Sequence, residues 1–237
     1  MSVPFNPDQI VYWRYGPFTL NATLVFTWGI MTLLALGAYL ATCGLRPKVR
    51  PGRLQNLLEA LLEVICAQIQ EVTHQDPGRH LPFVGTLFLF VASSNLLAVV
   101  PGFWPPTASL STTAALAICV FVAVPWYGIR ALGLKQYLRQ YLEPTPLMLP
   151  FNLIGEFSRT LALAVRLYGN IMSGAVIGAV LLTLAPFFFP VLMHLLGLLT
   201  GFIQAYIFAV LALVFIASAS AAQEEKAKQL AAQEKKP

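Results

Sequence analysis

Between His80 and Arg130 the chain has no charged residue, and from Leu167 to Gln223 it again has none. A third uncharged run extends from Phe18 to Cys43. About 20 consecutive apolar residues cross the roughly 30 Å hydrocarbon core of a bilayer as a helix. In lipid, backbone polar groups must be bonded inside a helix or a closed barrel. Runs this long therefore constrain the fold more than any other feature. The whole sequence agrees: over 237 residues it is 57% apolar and 11% charged, with a mean hydropathy of +0.71. Soluble domains hold about 25% charged residues, so an ordinary soluble enzyme and a disordered chain are excluded. The formal net charge of +5 is set against a membrane and does not indicate nucleic acid. Cys43, Cys66 and Cys119 are far apart, so neither a disulfide scaffold nor a cysteine metal site is expected, and no cofactor is.

The fold class is an all-α polytopic membrane protein, a single membrane domain over 1–237. Pro101-Gly-Phe-Trp-Pro-Pro splits the run between His80 and Arg130, and Pro186 and Pro190 split the run from Leu167 to Gln223. Five transmembrane helices follow, at about 18–43, 81–100, 112–129, 150–184 and 190–222. Met1 to Gly16 lacks a basic leader, so the first span is not a signal peptide. Basic residues in short loops mark the cytoplasmic side. One set of loops holds Arg46, Lys48, Arg50, Arg53, Arg79, Arg130, Lys135, Arg139 and the tail lysines 226, 228, 235 and 236; the other holds only Arg14. The N-terminus is therefore expected outside and the C-terminus in the cytoplasm, in a bacterial or archaeal cell (inner) membrane.

Residues 54–75 place Leu54, Leu57, Leu58, Leu61, Leu62, Ile65, Ile69 and Val72 on one helical face, away from Glu59, Glu63 and Glu71. This is an amphipathic helix, lying along the interface or packed on a partner. The charged tail 223–237 reads as a solvated helix end. Pro150–Leu184 would be roughly 52 Å long at about 1.5 Å per residue, and 190–222 nearly as long. Excess length is absorbed by tilt, so the last two spans are expected to be long and steeply tilted.

Arg166 lies near the middle of the fourth span. An Arg at the bilayer centre costs about 2.5–3.5 kcal/mol on translocon scales, and no acid of this chain lies deep in another span to pair with it. Three environments would hold it: a water cavity, a carboxylate from another subunit, or helix-end carbonyls of its own chain. Ala162, Arg166, Asn170 and Ser173 share a helical face, flanked by Gly169 and Gly174. Small residues permit close helix approach. The result is a smooth groove with one fixed cation, suited to a partner that slides past; a static packing face is the alternative for the small residues.

The segment Arg166-Leu-Tyr-Gly-Asn-Ile-Met-Ser-Gly, in a long penultimate span, resembles the signature of subunit a of the F-type rotary ATP synthase. Asn95-Leu-Leu-Ala-Val-Val-Pro-Gly resembles the end of an earlier span of that family, and Gln204-Ala-Tyr-Ile-Phe-Ala-Val-Leu its last span. The resemblance covers roughly 50–223. It implies a stator subunit, itself without a catalytic site, against which a ring of c subunits rotates. Each ring carboxylate is served by two offset aqueous half-channels. Implied partners are the c-subunit ring, the b-type subunits of the peripheral stalk, the catalytic sector indirectly, and the bilayer; nucleic acid is not among them. Arg166 matches the family's essential arginine. A guanidinium cannot lose its proton, so it attracts an ionised ring carboxylate, repels a bound cation and blocks a direct leak between half-channels.

The resemblance also suggests roles for other residues. Asn170, one turn from Arg166, would hydrate or orient it, or bond a neighbouring helix. Gln204 matches the family's glutamine facing the arginine. Glu156 would serve the inner half-channel, or pair with Arg159 at i,i+3. His194 would relay protons outside, or simply pack. Ser173 would contribute to an outer proton path. Asn95 would line that path, or bond a neighbouring helix. Ala175 stands where many family members carry an acid or histidine, and Ala98 where some carry an acid. H⁺ is the favoured coupling ion, with Na⁺ as the alternative. A secondary transporter is the rival class, but no internal repeat supports it. A membrane enzyme would need a histidine or acid cluster, and His74, His80 and His194 cluster with nothing.

Overall fold

The computed structural model describes residues 8, 11–15, 18–43, 53–73, 77–100, 102–134, 137, 148–184 and 189–234. Several residues that carried the sequence argument lie outside them: Arg46, Lys48, Arg50, His74, Pro101, Lys135, Arg139, Pro186, Lys235 and Lys236. The described residues form a short hairpin, β1 (Val11–Tyr15) and β2 (Phe18–Asn21), followed by six helices. These are α1 (Ala22–Cys43), α2 (Arg53–Thr73), α3 (Leu81–Leu97), α4 (Leu110–Leu132), α5 (Met148–Leu184) and α6 (Phe189–Glu234). The chain is an all-α polytopic membrane protein preceded by one antiparallel strand pair.

The strand pair shifts the start of the first helix. Phe18, Thr19 and Leu20 pair with Tyr15, Arg14 and Trp13, so the helix begins at Ala22 instead of Phe18. Absence of charge does not separate strand from helix, and Phe18-Thr-Leu carries β-favouring side chains.

Among the described residues, four helices are long and apolar enough to cross a membrane, with candidate spans Ala22–Leu40, Leu110–Arg130, Leu149–Thr183 and Val191–Ser218. The other expected span, α3, has 17 residues, about 25 Å at about 1.5 Å per residue. It stops at Leu97, and the chain turns through Ala98–Val100, with the Val100 amide donating to the Leu97 carbonyl at 2.9 Å. α3 is the most enclosed helix. Val84, Leu87, Phe88, Phe90 and Val91 are buried, so its length is matched to its neighbours more than to lipid. α6 extends through 46 residues, roughly 69 Å at about 1.5 Å per residue, and takes most of the expected tail into the same helix. Pro190 falls in its first turn, where a missing N–H costs nothing.

The core joins α3, α5 and α6 through Val91, Leu163, Leu167, Phe208 and Leu213, with Ile30 from α1 and Val120 from α4. α2 docks its apolar face on this body. Ile65 and Ile69 are buried, Leu61 and Val72 pack against the core, and Leu62 and Val64 stay exposed. Tyr206 of α6 donates its hydroxyl to Gln68 Oε1 at 2.6 Å, which fixes the seat of α2.

Candidate functional site

α5 buries only one narrow edge within this chain. Leu163, Ala164 and Leu167 face the core, while Ala162, Arg166, Ser173 and Gly174 are exposed and Asn170 is half-buried. The helical repeat puts Arg166 next to Leu167 in sequence but away from the core. Among the described residues Arg166 has no hydrogen-bond or ion-pair partner, so no described carbonyl of this chain takes it up. Ser173 turns its hydroxyl back to the Asn170 carbonyl at 3.1 Å, which satisfies it locally. The cation therefore stands on an open apolar face.

Two or three turns along α5, Glu156 and Arg159 line a groove of about 270 Å³ between α4, α5 and α6. Asn152, Thr160 and Ser218 supply its other polar walls, and Phe121, Phe151 and Phe215 its apolar ones. The Arg159 guanidinium lies 5.9 Å from the centroid of the Phe215 ring, and Thr160 donates its hydroxyl to the Glu156 carbonyl at 2.9 Å. An acid, a base and three neutral polar groups thus meet in one cleft.

The expected outer residues fall in three different settings. Asn95 is buried and fully engaged: its Nδ2 donates to the Gly201 carbonyl at 2.8 Å, and its Oδ1 accepts from Thr107 Oγ1 at 3.2 Å. It bonds a neighbouring helix. Gln204 is buried on the core face of α6, and its Nε2 has no partner; no hydrogen bond joins it to Arg166. His194 is exposed near the start of α6. The structure therefore does not gather Asn95, Gln204 and His194 into one bonded cluster.

Two polar residues had no expected role. Asp8 accepts hydrogen bonds from Thr23 at 2.6 Å and Ser109 at 2.6 Å, which ties the N-terminal segment to the start of α4. The only sequence signal was the run of hydroxyls at Ser109, Ser111, Thr112 and Thr113. His80, in the turn before α3, is buried with both ring nitrogens unpartnered, and its ring lies 5.2 Å from that of Tyr127. Burial, and secondly the Arg79 charge, hold its pKa below the ordinary histidine value.

Fold and site together define a polytopic membrane protein that offers an unpaired cation on an open helix face. The profile of the ATP synthase A chain family matches residues 24–217. The chain is 59% identical over 215 residues to ATP synthase subunit a 2 of Acaryochloris marina, covering 91% of this chain and 92% of that one. It is 58% identical over 221 residues to ATP synthase subunit a of Albidiferax ferrireducens (93% and 96% covered). It is 60% identical over 223 residues to ATP synthase subunit a 2 of a Picosynechococcus species (93% and 95% covered). The chain belongs to the ATP synthase A chain family, and its role is that of an ATP synthase a subunit in a membrane sector assembled with other subunits.

Proposed function

We propose that this subunit is the stator half of an ion turbine, with two offset half-channels leading to and from the carboxylates of a rotating c-ring. Arg166 carries this reading: it is a permanent cation on an apolar helix, without a partner among the described residues of its own chain. A ring carboxylate is the complementary group. Such a site must release its ion before it passes the guanidinium, and the same charge closes the direct path between half-channels. One elementary charge moving down a membrane potential releases about 2.3 kcal/mol per 100 mV, so a leak here would dissipate the driving force. Lys would serve poorly, because it deprotonates when desolvated.

The groove around Glu156 supports an inner access route, since it opens beside α5 on the side expected to face the cytoplasm. Five spans with α3 enclosed, a steeply tilted α5–α6 pair, an N-terminus outside and α2 along the inner interface complete the arrangement. The b-type subunits of the peripheral stalk hold it against the ring's rotation. Protons are the coupling ion on the strength of Glu156 and His194, titratable groups toward opposite ends. Na⁺ is the second reading, favoured by one observation: Ala175 and Ala98 leave the outer path short of titratable groups, and a hydrated path of oxygens suffices for Na⁺. The test is ATP synthesis in proteoliposomes driven by a Na⁺ gradient with a protonophore present. No synthesis is expected with H⁺ as coupling ion; sustained synthesis assigns Na⁺.

A further inference from the structure

α6 passes α3 at a point where no side chain fits. A Cβ on Gly201 would lie 2.9 Å from Asn95 Cβ, 3.1 Å from its Cγ and 3.2 Å from its Nδ2. The nearest of these atoms is fixed to the α3 backbone and cannot swing away. At the same point Asn95 Nδ2 donates to the Gly201 carbonyl at 2.8 Å. Asn95 Oδ1 accepts from Thr107 Oγ1, and that hydroxyl lies 3.1 Å from Ser94 Oγ. All three of these side chains are buried. Contact and hydrogen bonds thus pin α6 to α3 and to the loop before α4 in both distance and rotation. Gly201, Gln204, Ala205 and Phe208 form one helical stripe, and all are buried. Gln204 is therefore held by the rotation of α6, with a buried Nε2 that has no partner among the described residues.

We propose that Gly201 and Asn95 form a rotational lock on α6, and that Gly201 is a positioning residue which holds the Gln204 amide in register for ion transfer. The inference rests on the stator reading above. Without the lock, α6 would turn to give the orphan amide a partner, since a buried unpaired donor is costly. Close contact with a carbonyl-bonded Asn removes that freedom. Gly201 thus acts through Gln204 and touches no ion itself.

The test uses the assembled complex in membrane vesicles, with proton and Na⁺ gradients both imposed, and subunit content measured alongside synthesis. Gly201→Ala and Gln204→Ala should each lower ATP synthesis about tenfold, the scale of disturbing one buried hydrogen-bonding group. If the two act through one group, the double variant should be no worse than either single; independent damage would multiply to about a hundredfold. Asn95→Ala loosens the lock from the α3 side without adding a clash, so it serves where Gly201→Ala assembles poorly. It should lower synthesis per assembled complex and add nothing to Gln204→Ala. A multiplicative effect of Gln204→Ala with either variant, or full synthesis in Gly201→Ala, would overturn the lock. Arg166→Ala, run in parallel, separates the two readings. If it retains synthesis, the stator reading falls and the lock with it. If it loses synthesis while the Gly201 and Gln204 effects multiply, only the lock falls.

Discussion

The open face of α5 and the α3–α6 contact use polar residues in opposite ways. At the contact, Ser94, Asn95 and Thr107 are buried and bonded to one another and to a helix carbonyl. On α5, Arg166 is exposed on a helix that, of its described residues, buries only Leu163, Ala164 and Leu167 within the chain. Polar groups inside a bilayer are expensive, and the two regions meet that expense differently. The first closes its hydrogen bonds within the subunit, as a scaffold must. The second leaves its charge to be met from outside. A partner that moves requires this, because a permanent bond to Arg166 would hold it still.

The sharpest way to break that contrast is Arg166→Ala. It should abolish ion-coupled ATP synthesis and leave assembly largely intact, because the side chain has no hydrogen-bond or ion-pair partner among the described residues of its own subunit. Normal coupled synthesis in membranes with wild-type subunit content would refute it. Asn95→Ala should act on structure first, and slow synthesis only through the loosened α6. It removes two hydrogen bonds and leaves Thr107 short of an acceptor, a loss of about 1–2 kcal/mol where membrane hydrogen bonds average about 0.6 kcal/mol each. The expected readout is a lower melting temperature of the detergent-solubilised complex. An unchanged melting temperature with lost coupling would move Asn95 into the ion path.

Glu156→Gln keeps the shape of the groove and removes its carboxylate. If the groove is the inner access route for protons, synthesis should slow without vanishing, and its pH dependence should shift. His194→Ala should also change the pH profile if protons pass there. An unchanged profile would return that exposed histidine to a lipid- or solvent-facing role without touching the assignment of Arg166.

Helix identity and the special status of Arg166 were legible in the sequence, because both follow from charge. Lipid admits few charges, so uncharged runs and one interrupting cation stand out without coordinates. The β-hairpin was not legible, because Phe18–Asn21 is as uncharged as the helix that follows it. The Gly201 contact was invisible for a different reason. Its cause is a residue 106 positions away, and a lone glycine in an apolar helix carries no sign of what it touches. The two readings of Asn95 were separable only once its partners were located. Gln204 remained a family-matched residue until the structure left its amide unpaired.

His80 belongs to neither class, and so sharpens the comparison. It is closed like Asn95 yet unpartnered like Arg166. A buried imidazole without partners costs far less neutral than charged, and the direction of its pKa agrees. The folded value is depressed below 6.5 by burial and by Arg79. Above that pH both folded and unfolded chains hold His80 neutral, and it adds no pH dependence. As pH falls through 6.5 the unfolded chain binds a proton that the folded one resists, so stability is lost progressively down to the folded pKa. The expected result is a melting temperature that declines as the pH falls through 6.5, with α3 loosening from Tyr127. His80→Phe retains a ring against Tyr127 and cannot titrate. It should remove His80's share of the decline, the smallest effect of those considered, measurable as a flatter melting temperature against pH. A variant with the same slope as the parent chain would mean that His80 does not charge in the unfolded state differently from the folded one, and that its burial is only packing.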